Sequence, residues 1–491
     1  MHESLASTNV GSFQREELKV IRIQTQQHLD EVLNISVQKK IPVYPYSTGK
    51  NWGYGSNLPT KNGGVLLDLS KLNTIINVNE EHGLATIEPG VTQAQLASEL
   101  LQRNSKYFLD VTGSGATTSI LGNALERGIA YQSIRVNQIA GLEVLLADGR
   151  RIKTGFGNYE KPLLAGLYPH GLGPSIDGLF FQSNLGIVTQ GIIKLTLRSE
   201  ATFALTISVK DNQLSDLIEA FKNLRQTGVI TGIPHVADRE RTVSTLIPLL
   251  QAQQPNLSAH KARHLLNVTI TRDWTATLSV TGTTGVAKAK LKEVKNKIKP
   301  LGKIFTHSMS ESSLQNKIQN LLISIFATRN QKLILNAVDG LRGLHIGRPT
   351  NAGIQFLLEN KDVDQSRDGF LLCTPLAPLS GTSAEIFSTA LKTFSQKYGV
   401  TLALTQNIIT EHVLEAVYSV HFQKNNRTQR NLAHSCVHAM TEFFNAQGFY
   451  PYRINIDQMD KMMGQNNPHR DVVKKIKLML DPQAIFSPGR Y

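Results

Sequence analysis

Short blocks of apolar residues separated by turn signals run through the first two hundred positions and predict alternating strands and helices. Residues 19–23, Lys19 to Ile23, read as a strand, and Thr25 to Gln38 as a helix. A second apolar run, Ile41 to Tyr44, reads as another strand. Residues 64–69 and 84–89 predict two more strands, each ending in a turn signal. Thr92 is placed as the N-cap of a helix that begins at Gln93. Gly141 to Arg150 reads as a buried strand with a hairpin turn, and the run from Gly186 as a further apolar strand. The order is α+β, not a regular βαβ series, and no GxGxxG with a following acidic residue opens a helix after a strand. A dinucleotide site of the doubly wound type is therefore not supported.

The polar stretches between these blocks are more telling than the blocks themselves. Pro45 to Asn57 follows a strand and packs Gly49, Gly53 and Gly55 into seven residues. Glycine at that density lets a backbone approach a ligand closely and aim its N–H groups at a phosphate. Residues 108–128 form a second loop rich in small and hydroxyl residues, with Thr117, Thr118, Ser119 and Asn123 as donors. Ser183, Asn184 and Gly186 share a further loop. Together with the turn after Gly141, these segments predict one large ligand running across four loops.

Length and composition narrow the class. At 491 residues the chain exceeds what one core usually supports, so two intimately packed domains are expected. The hydrophobic fraction is 41% and the charged fraction 18%, as in a globular protein with a sizeable interior. No window of 18 apolar residues occurs, so no membrane partner is expected. Met1 to Arg22 carries Glu3, Glu16 and Glu17 without an apolar core, which fits neither a secretory signal nor a transit peptide, and a cytoplasmic location follows. Cys373 and Cys436 are the two cysteines; neither a disulfide framework nor a metal site is expected. The net charge of +14 admits nucleic acid or an anionic cofactor. The densest basic run, Lys288 to Lys299, is broken by apolar residues at helical spacing and reads as the wet face of an amphipathic helix, so no nucleic-acid partner is expected.

Six segments in order carry a family resemblance: the glycine loop at Pro45–Gly55, Glu88-Pro-Gly-Val, the run from Thr118 to Gly128, the run from Gly141 to Gly149, the run from Gln182 to Thr189, and Asp481 to Arg490. In order and spacing they resemble the vanillyl-alcohol oxidase / p-cresol methylhydroxylase flavoproteins over about residues 15–200 and 400–491. The resemblance implies a PCMH-type two-part FAD-binding domain, residues 1–200, completed by a C-terminal segment, 441–491. Between them it implies a cap domain, 201–440, with an antiparallel sheet flanked by helices and covering the flavin. On the same resemblance Ser47, Thr48, Gly49, Lys50 and Asn51 hold the FAD pyrophosphate. Pro89, Gly90, Val91, Ser119, Gly122, Asn123, Glu143, Gly186, Ile187 and Val188 wrap the remainder of the cofactor.

The phenol-oxidising members bind their substrate as phenolate with two tyrosines and an arginine, which match Tyr54, Tyr452 and Arg453 here. A phenol of pKa about 10 needs about 4 kcal/mol to ionise near neutrality. One arginine and two hydroxyl donors, at roughly 1.5–3 kcal/mol per charge-assisted bond, are sufficient. The implied activity is hydride transfer from a para-substituted phenol, a 4-alkylphenol or 4-hydroxybenzyl alcohol, to flavin N5; the alternative is oxidation of a non-phenolic alcohol or secondary metabolite. Oxygen or a redox protein is the implied electron acceptor, and a homodimer the implied assembly.

Two departures from the family pattern stand out. The vanillyl-alcohol branch has an acidic Pro-Asp-Leu loop where this chain has Thr112 to Gly115, with Asp110 close by but out of register. The flavin tether of the family maps onto Ile409 to Leu414, with His412 as the candidate; a one-residue shift would put Glu411 there and leave FAD non-covalent. Gln406 and Asn407, on an expected strand, are candidates to line the pocket; His345 and Arg348 are expected to be structural.

Overall fold

The computed structural model describes residues 3–5, 9–16, 18–310, 328–357, 362–464 and 467–491. Strand Val65–Asp68 is buried at all four positions and pairs in parallel with Leu18–Arg22 on one side and Val43–Tyr46 on the other. A parallel strand covered on both faces needs a continuous apolar run. Helix Gln26–Gln38 covers this sheet. Its amide at His28 is capped by the Thr25 side chain, and Leu29, Val32, Leu33 and Ser36 recur every three or four residues on its buried face. Helix Gln93–Gln102 starts at Thr92 with a full capping box, closed by Gln95.

The second sheet is antiparallel throughout, in the order Ile75–Asn79, Leu84–Ile87, Ile187–Lys194, Ile139–Leu145 and Arg151–Lys153. The end of the chain returns to the first sheet. Val43 donates its N–H to Ile485 at 2.8 Å and accepts from Ser487 at 2.9 Å. Buried Asp481 holds that return in place by accepting the amides of Ile485 and Phe486 at 2.9 and 2.8 Å.

A third sheet of eight antiparallel strands spans residues 201–423. Its central strands are His235–Asp238, Thr401–Ile408 and Val413–Gln423. Alternation with period two splits each strand between two environments. Val236, Leu402, Leu404, Ile408, Leu414, Ala416, Tyr418 and Val420 enter the largest core cluster, together with helices Leu214–Gln226 and Gly381–Tyr398. The opposite residues, His235, Thr405, Asn407, Glu415 and Val417, face a cavity. A one-residue slip would exchange the two sets, so the apolar rows pin the register and the polar row follows. The basic run lies on helix Thr284–Ile298, which buries Ala287, Leu291, Val294 and Ile298 and leaves its lysines outside. No helix among the described residues is long and apolar enough to cross a membrane.

Candidate active site

The cavity, ≈ 560 Å³, lies between the two smaller sheets and the polar face of the large one. The first glycine loop brings Ser47, Thr48, Gly49, Lys50, Asn51 and Tyr54 to its wall. Among the described residues the amides of Ser47 to Asn51 donate no hydrogen bond within the protein. Consecutive free N–H groups on a concave wall form a cradle for an anion. Gly49 sits at φ +69°, a conformation that a side chain would strain. The second loop closes the cradle. Ser119 caps the helix Ile120–Leu125 by accepting the amide of Gly122, donates its hydroxyl to Pro89 O at 2.6 Å, and donates its own amide to Thr48 Oγ1 at 3.1 Å. A Cβ on Gly122 would come within 2.6 Å of Ser47 Oγ. Asn123 Oδ1 is buried without a partner. A free-amide cradle, a contact only glycine permits and an orphaned acceptor fit a pyrophosphate-bearing cofactor such as FAD.

Fifteen of the nineteen expected site residues line this one cavity: the five of the first loop, Tyr54, Pro89, Ser119, Gly122, Asn123, Gly186, Ile187, Val188, Tyr452 and Arg453. Four do not. Gly90 and Val91 lie behind Pro89, and a Cβ at Gly90 would meet Ser70 O at 2.5 Å, so that glycine serves chain packing. Glu143 sits in the second sheet, 3.5 Å from Arg151 and 3.8 Å from Lys153, and the hairpin after it contributes nothing to the wall. Three loops converge there instead of the expected four. His412 is corrected most clearly: Ile409 to His412 forms the turn between two strands, and the imidazole is exposed and off the cavity. Glu411 is likewise exposed, 3.9 Å from Arg225.

Asp110 is scaffold. Its buried carboxylate accepts the amides of Tyr131, Gln132 and Ser133 and the side chain of Gln138, and burial pushes its pKa up to about 6. Gln406 and Asn407 take opposite faces, as neighbours on a strand must. Gln406 donates to Ala384 O within the core, and Asn407 faces the cavity. His345 is buried on the cavity wall, whereas Arg348 is exposed and outside it.

At one end of the cavity the Arg453 guanidinium stacks over the Tyr54 ring at 4.5 Å and donates to Asn51 Oδ1. It is 3.7 Å from Glu126, which also pairs with Arg490 and accepts from Tyr491 Oη at 3.2 Å. Burial by itself lowers the pKa of Arg453, but Glu126 overrides that and the net shift is upward. Two cations around one carboxylate leave one positive charge, and it faces the cavity. Burial pushes Tyr54 up to about 12 and Tyr452 well above the usual phenol value, so both hydroxyls remain donors. Tyr54 Oη lies 3.2 Å from Thr374 Oγ1.

Glu415 was not anticipated. It is fully buried on the same wall, accepts from Asn407 Nδ2 at 2.7 Å through Oε2, and leaves Oε1 without a partner. Burial raises its pKa to about 7, against the opposing pull of Asn407, Tyr452 and Arg453. The only sequence signal was period-two alternation, which puts Glu415 on a polar face but does not say that the face lines a cavity. Glu126 and Arg490 were quoted within motifs but given no role.

This geometry defines an FAD-dependent enzyme: an anion cradle of loop amides opens onto a buried cluster of tyrosines, arginines and a carboxyl. Residues 18–155 match the FAD binding domain family, and over nearly its whole length the chain is similar to flavoproteins of the PCMH type. It is 28% identical to the 1'-carboxy-chondrochloren decarboxylase of Chondromyces crocatus, over 94% of this chain and 88% of that protein. It is 25% identical to the 4-cresol dehydrogenase [hydroxylating] flavoprotein subunit of Pseudomonas putida, over 95% and 86%. The 4-ethylphenol oxidase of Gulosibacter chungangensis superposes with a TM-score of 0.84 at 21% identity, covering 99% of this chain and 90% of that one. The chain is an FAD-dependent oxidoreductase that takes a small-molecule substrate.

Proposed function

We propose that this enzyme oxidises a para-substituted phenol of the 4-alkylphenol or 4-hydroxybenzyl alcohol type, with residues 1–200 and 441–491 holding FAD and 201–440 forming the cap. The observation that carries the reading is the surplus positive charge of the Arg453–Glu126–Arg490 cluster beside two protonated tyrosines. FAD, when bound, supplies the acceptor for a hydride. The cradle of Ser47 to Asn51 holds the pyrophosphate, and Ser119, Gly122 and Asn123 wrap the remainder of the cofactor.

Tyr54 and Tyr452 donate to the phenol oxygen, and Arg453 supplies the counter-charge. Bringing a phenol of pKa about 10 to neutrality requires about 4 kcal/mol. A charge-assisted bond contributes roughly 1.5–3 kcal/mol, so removing one member should leave a deficit. Glu415 Oε1 takes up the phenol's proton. A carboxyl with a pKa of about 7 suits that role, since about half of it is ionised near neutrality and it is basic enough to accept a proton. Asn407 holds its other oxygen and so fixes which one is free. Glu415 thereby supplies a base that the Thr112–Gly115 loop lacks.

Anaerobic mixing with 4-ethylphenol tests the reading through loss of the flavin's visible absorbance. Wild type is expected to bleach, and Tyr452→Phe to bleach at least about tenfold more slowly; equal rates would remove the phenolate role. The resemblance to a decarboxylase over nearly the whole chain favours a second reading, in which a carboxylated phenol loses CO2 as it is oxidised. Release of CO2 in step with bleaching separates the two.

A further inference from the structure

The other end of the cavity is also cationic, but its cation has no ion pair among the described residues. Arg241 lies in the first turn of helix Arg239–Gln253, whose N-cap Asp238 accepts the Arg241 amide at 2.8 Å. Its guanidinium lines the cavity, has Ser419 Oγ at 3.4 Å, and forms no ion pair among the described residues. Asp238 is the nearest acid to influence it, but its Oδ1 already accepts the amides of Arg241 and Leu404. Neighbouring Glu240 is paired with Arg263, and Tyr131 is neutral, with its pKa pushed up to about 12 by burial.

Two imidazoles complete this wall. The rings of His235 and His345 lie 4.5 and 4.9 Å from the Tyr131 ring. Asn407 uses its amide nitrogen on Glu415, so its oxygen must face His235 Nδ1 at 2.7 Å, which makes that nitrogen the donor. His235 Nε2 is then a bare acceptor, buried and unpartnered, and His345 Nδ1 is buried and unpartnered as well. Burial drops their pKa values to about 4 and about 3, so both are neutral and leave the charge of Arg241 unsupplemented.

A desolvated cation and two buried, unpartnered ring nitrogens on residues that line a cavity are costly unless a ligand meets them. We propose that this end is a carboxylate subsite, and that the substrate's para side chain carries a carboxylate paired with Arg241. A single guanidinium beside Asp238 matches one negative charge and disfavours a dianion such as a phosphate monoester. The geometry also sets the reach. Glu415 and Ser419 stand on the same face of one strand, four residues or roughly 13 Å apart. A carboxylate at Arg241 is therefore an anchor distant from the phenol, and the product keeps it.

The inference rests on the phenol reading, and its test separates the two. Flavin-loaded enzyme, reduced beforehand so that bound ligand is not turned over, is titrated calorimetrically with 4-(4-hydroxyphenyl)butanoate, 4-butylphenol and 4-phenylbutanoate. Wild type is expected to bind the hydroxyphenyl acid at least about tenfold tighter than 4-butylphenol. Arg241→Gln should erase that preference and Arg241→Lys restore part of it. A preference unchanged in Arg241→Gln, or a product of the oxidised enzyme that has lost its carboxyl group, overturns the subsite. If 4-phenylbutanoate matches the hydroxy acid and still depends on Arg241, the subsite stands and the phenol reading falls.

Discussion

At one end of the cavity Arg453 shares Glu126 with Arg490; at the other, Arg241 has a serine hydroxyl at 3.4 Å and no ion pair among the described residues. Both guanidiniums are partly buried on the cavity wall, yet only the first has its desolvation offset within the protein. A paired cation is preorganised: its position is set before any ligand arrives, which is what stabilising a developing phenolate requires. An unpaired one raises the energy of the empty site and regains it when an anion binds, which is how selectivity is built. On the proposed reading, the cavity separates reactivity from recognition along the face of one sheet.

The largest expected effect is at the paired end. Arg453→Met removes the counter-charge, and kcat/KM for a 4-alkylphenol should fall about 10³-fold, the equivalent of about 4 kcal/mol. The loss should shrink as pH rises toward 10, where the phenol ionises unaided; a constant deficit would assign Arg453 to packing.

Next comes a contrast of sign. Glu126→Gln leaves Arg453 and Arg490 as buried like charges and is expected to cost about 3–5 kcal/mol in denaturant unfolding of the flavin-loaded protein. Arg241→Met removes a cation that lacks an ion pair, so stability should hold or rise. Equal losses in both variants would erase the comparison.

Glu415 provides a pH test. Acting as a base it must be ionised, so kcat/KM should rise with pH through about 7, and Glu415→Gln should lose that limb. For stability the sign reverses. A carboxyl whose folded pKa lies above its unfolded value favours the native state at low pH, and that support fades as pH climbs from the ordinary carboxylate range through about 7. Glu415→Gln should therefore melt above wild type at pH 8.5, with the gap closing toward pH 5. The smallest effect is expected at Gly122→Ala, where the new methyl meets Ser47 Oγ; FAD affinity should drop about tenfold and recover in part when Ser47→Ala is added.

The sequence made the cofactor side legible because glycine and hydroxyl residues in a loop carry their own conformational meaning. Ser47 to Asn51, Ser119, Gly122 and Asn123 reached one wall with no knowledge of the sheets. Tyr54, Tyr452 and Arg453 were named by resemblance, and the segments that carry them are joined by the amides of Tyr452 on Thr374 O and of Ile456 on Tyr54 O. The cap was less legible. Only the strand carrying Gln406 and Asn407 was expected there, and alternation alone does not tell a solvent face from a cavity face, so Glu415, His235 and Arg241 went unnoticed. His412 shows the converse error: a histidine near a motif was assigned to the flavin, and the hairpin that forms there points it outward.

The most direct test of the central claim compares 4-ethylphenol with its methyl ether, 4-ethylanisole, in anaerobic stopped-flow with the flavin-loaded enzyme. The two share a reacting carbon and differ in whether the oxygen can ionise between Tyr54, Tyr452 and Arg453. Rapid bleaching by the phenol and none by the ether is the predicted result. Bleaching by both at similar rates would contradict a site built to hold a phenolate.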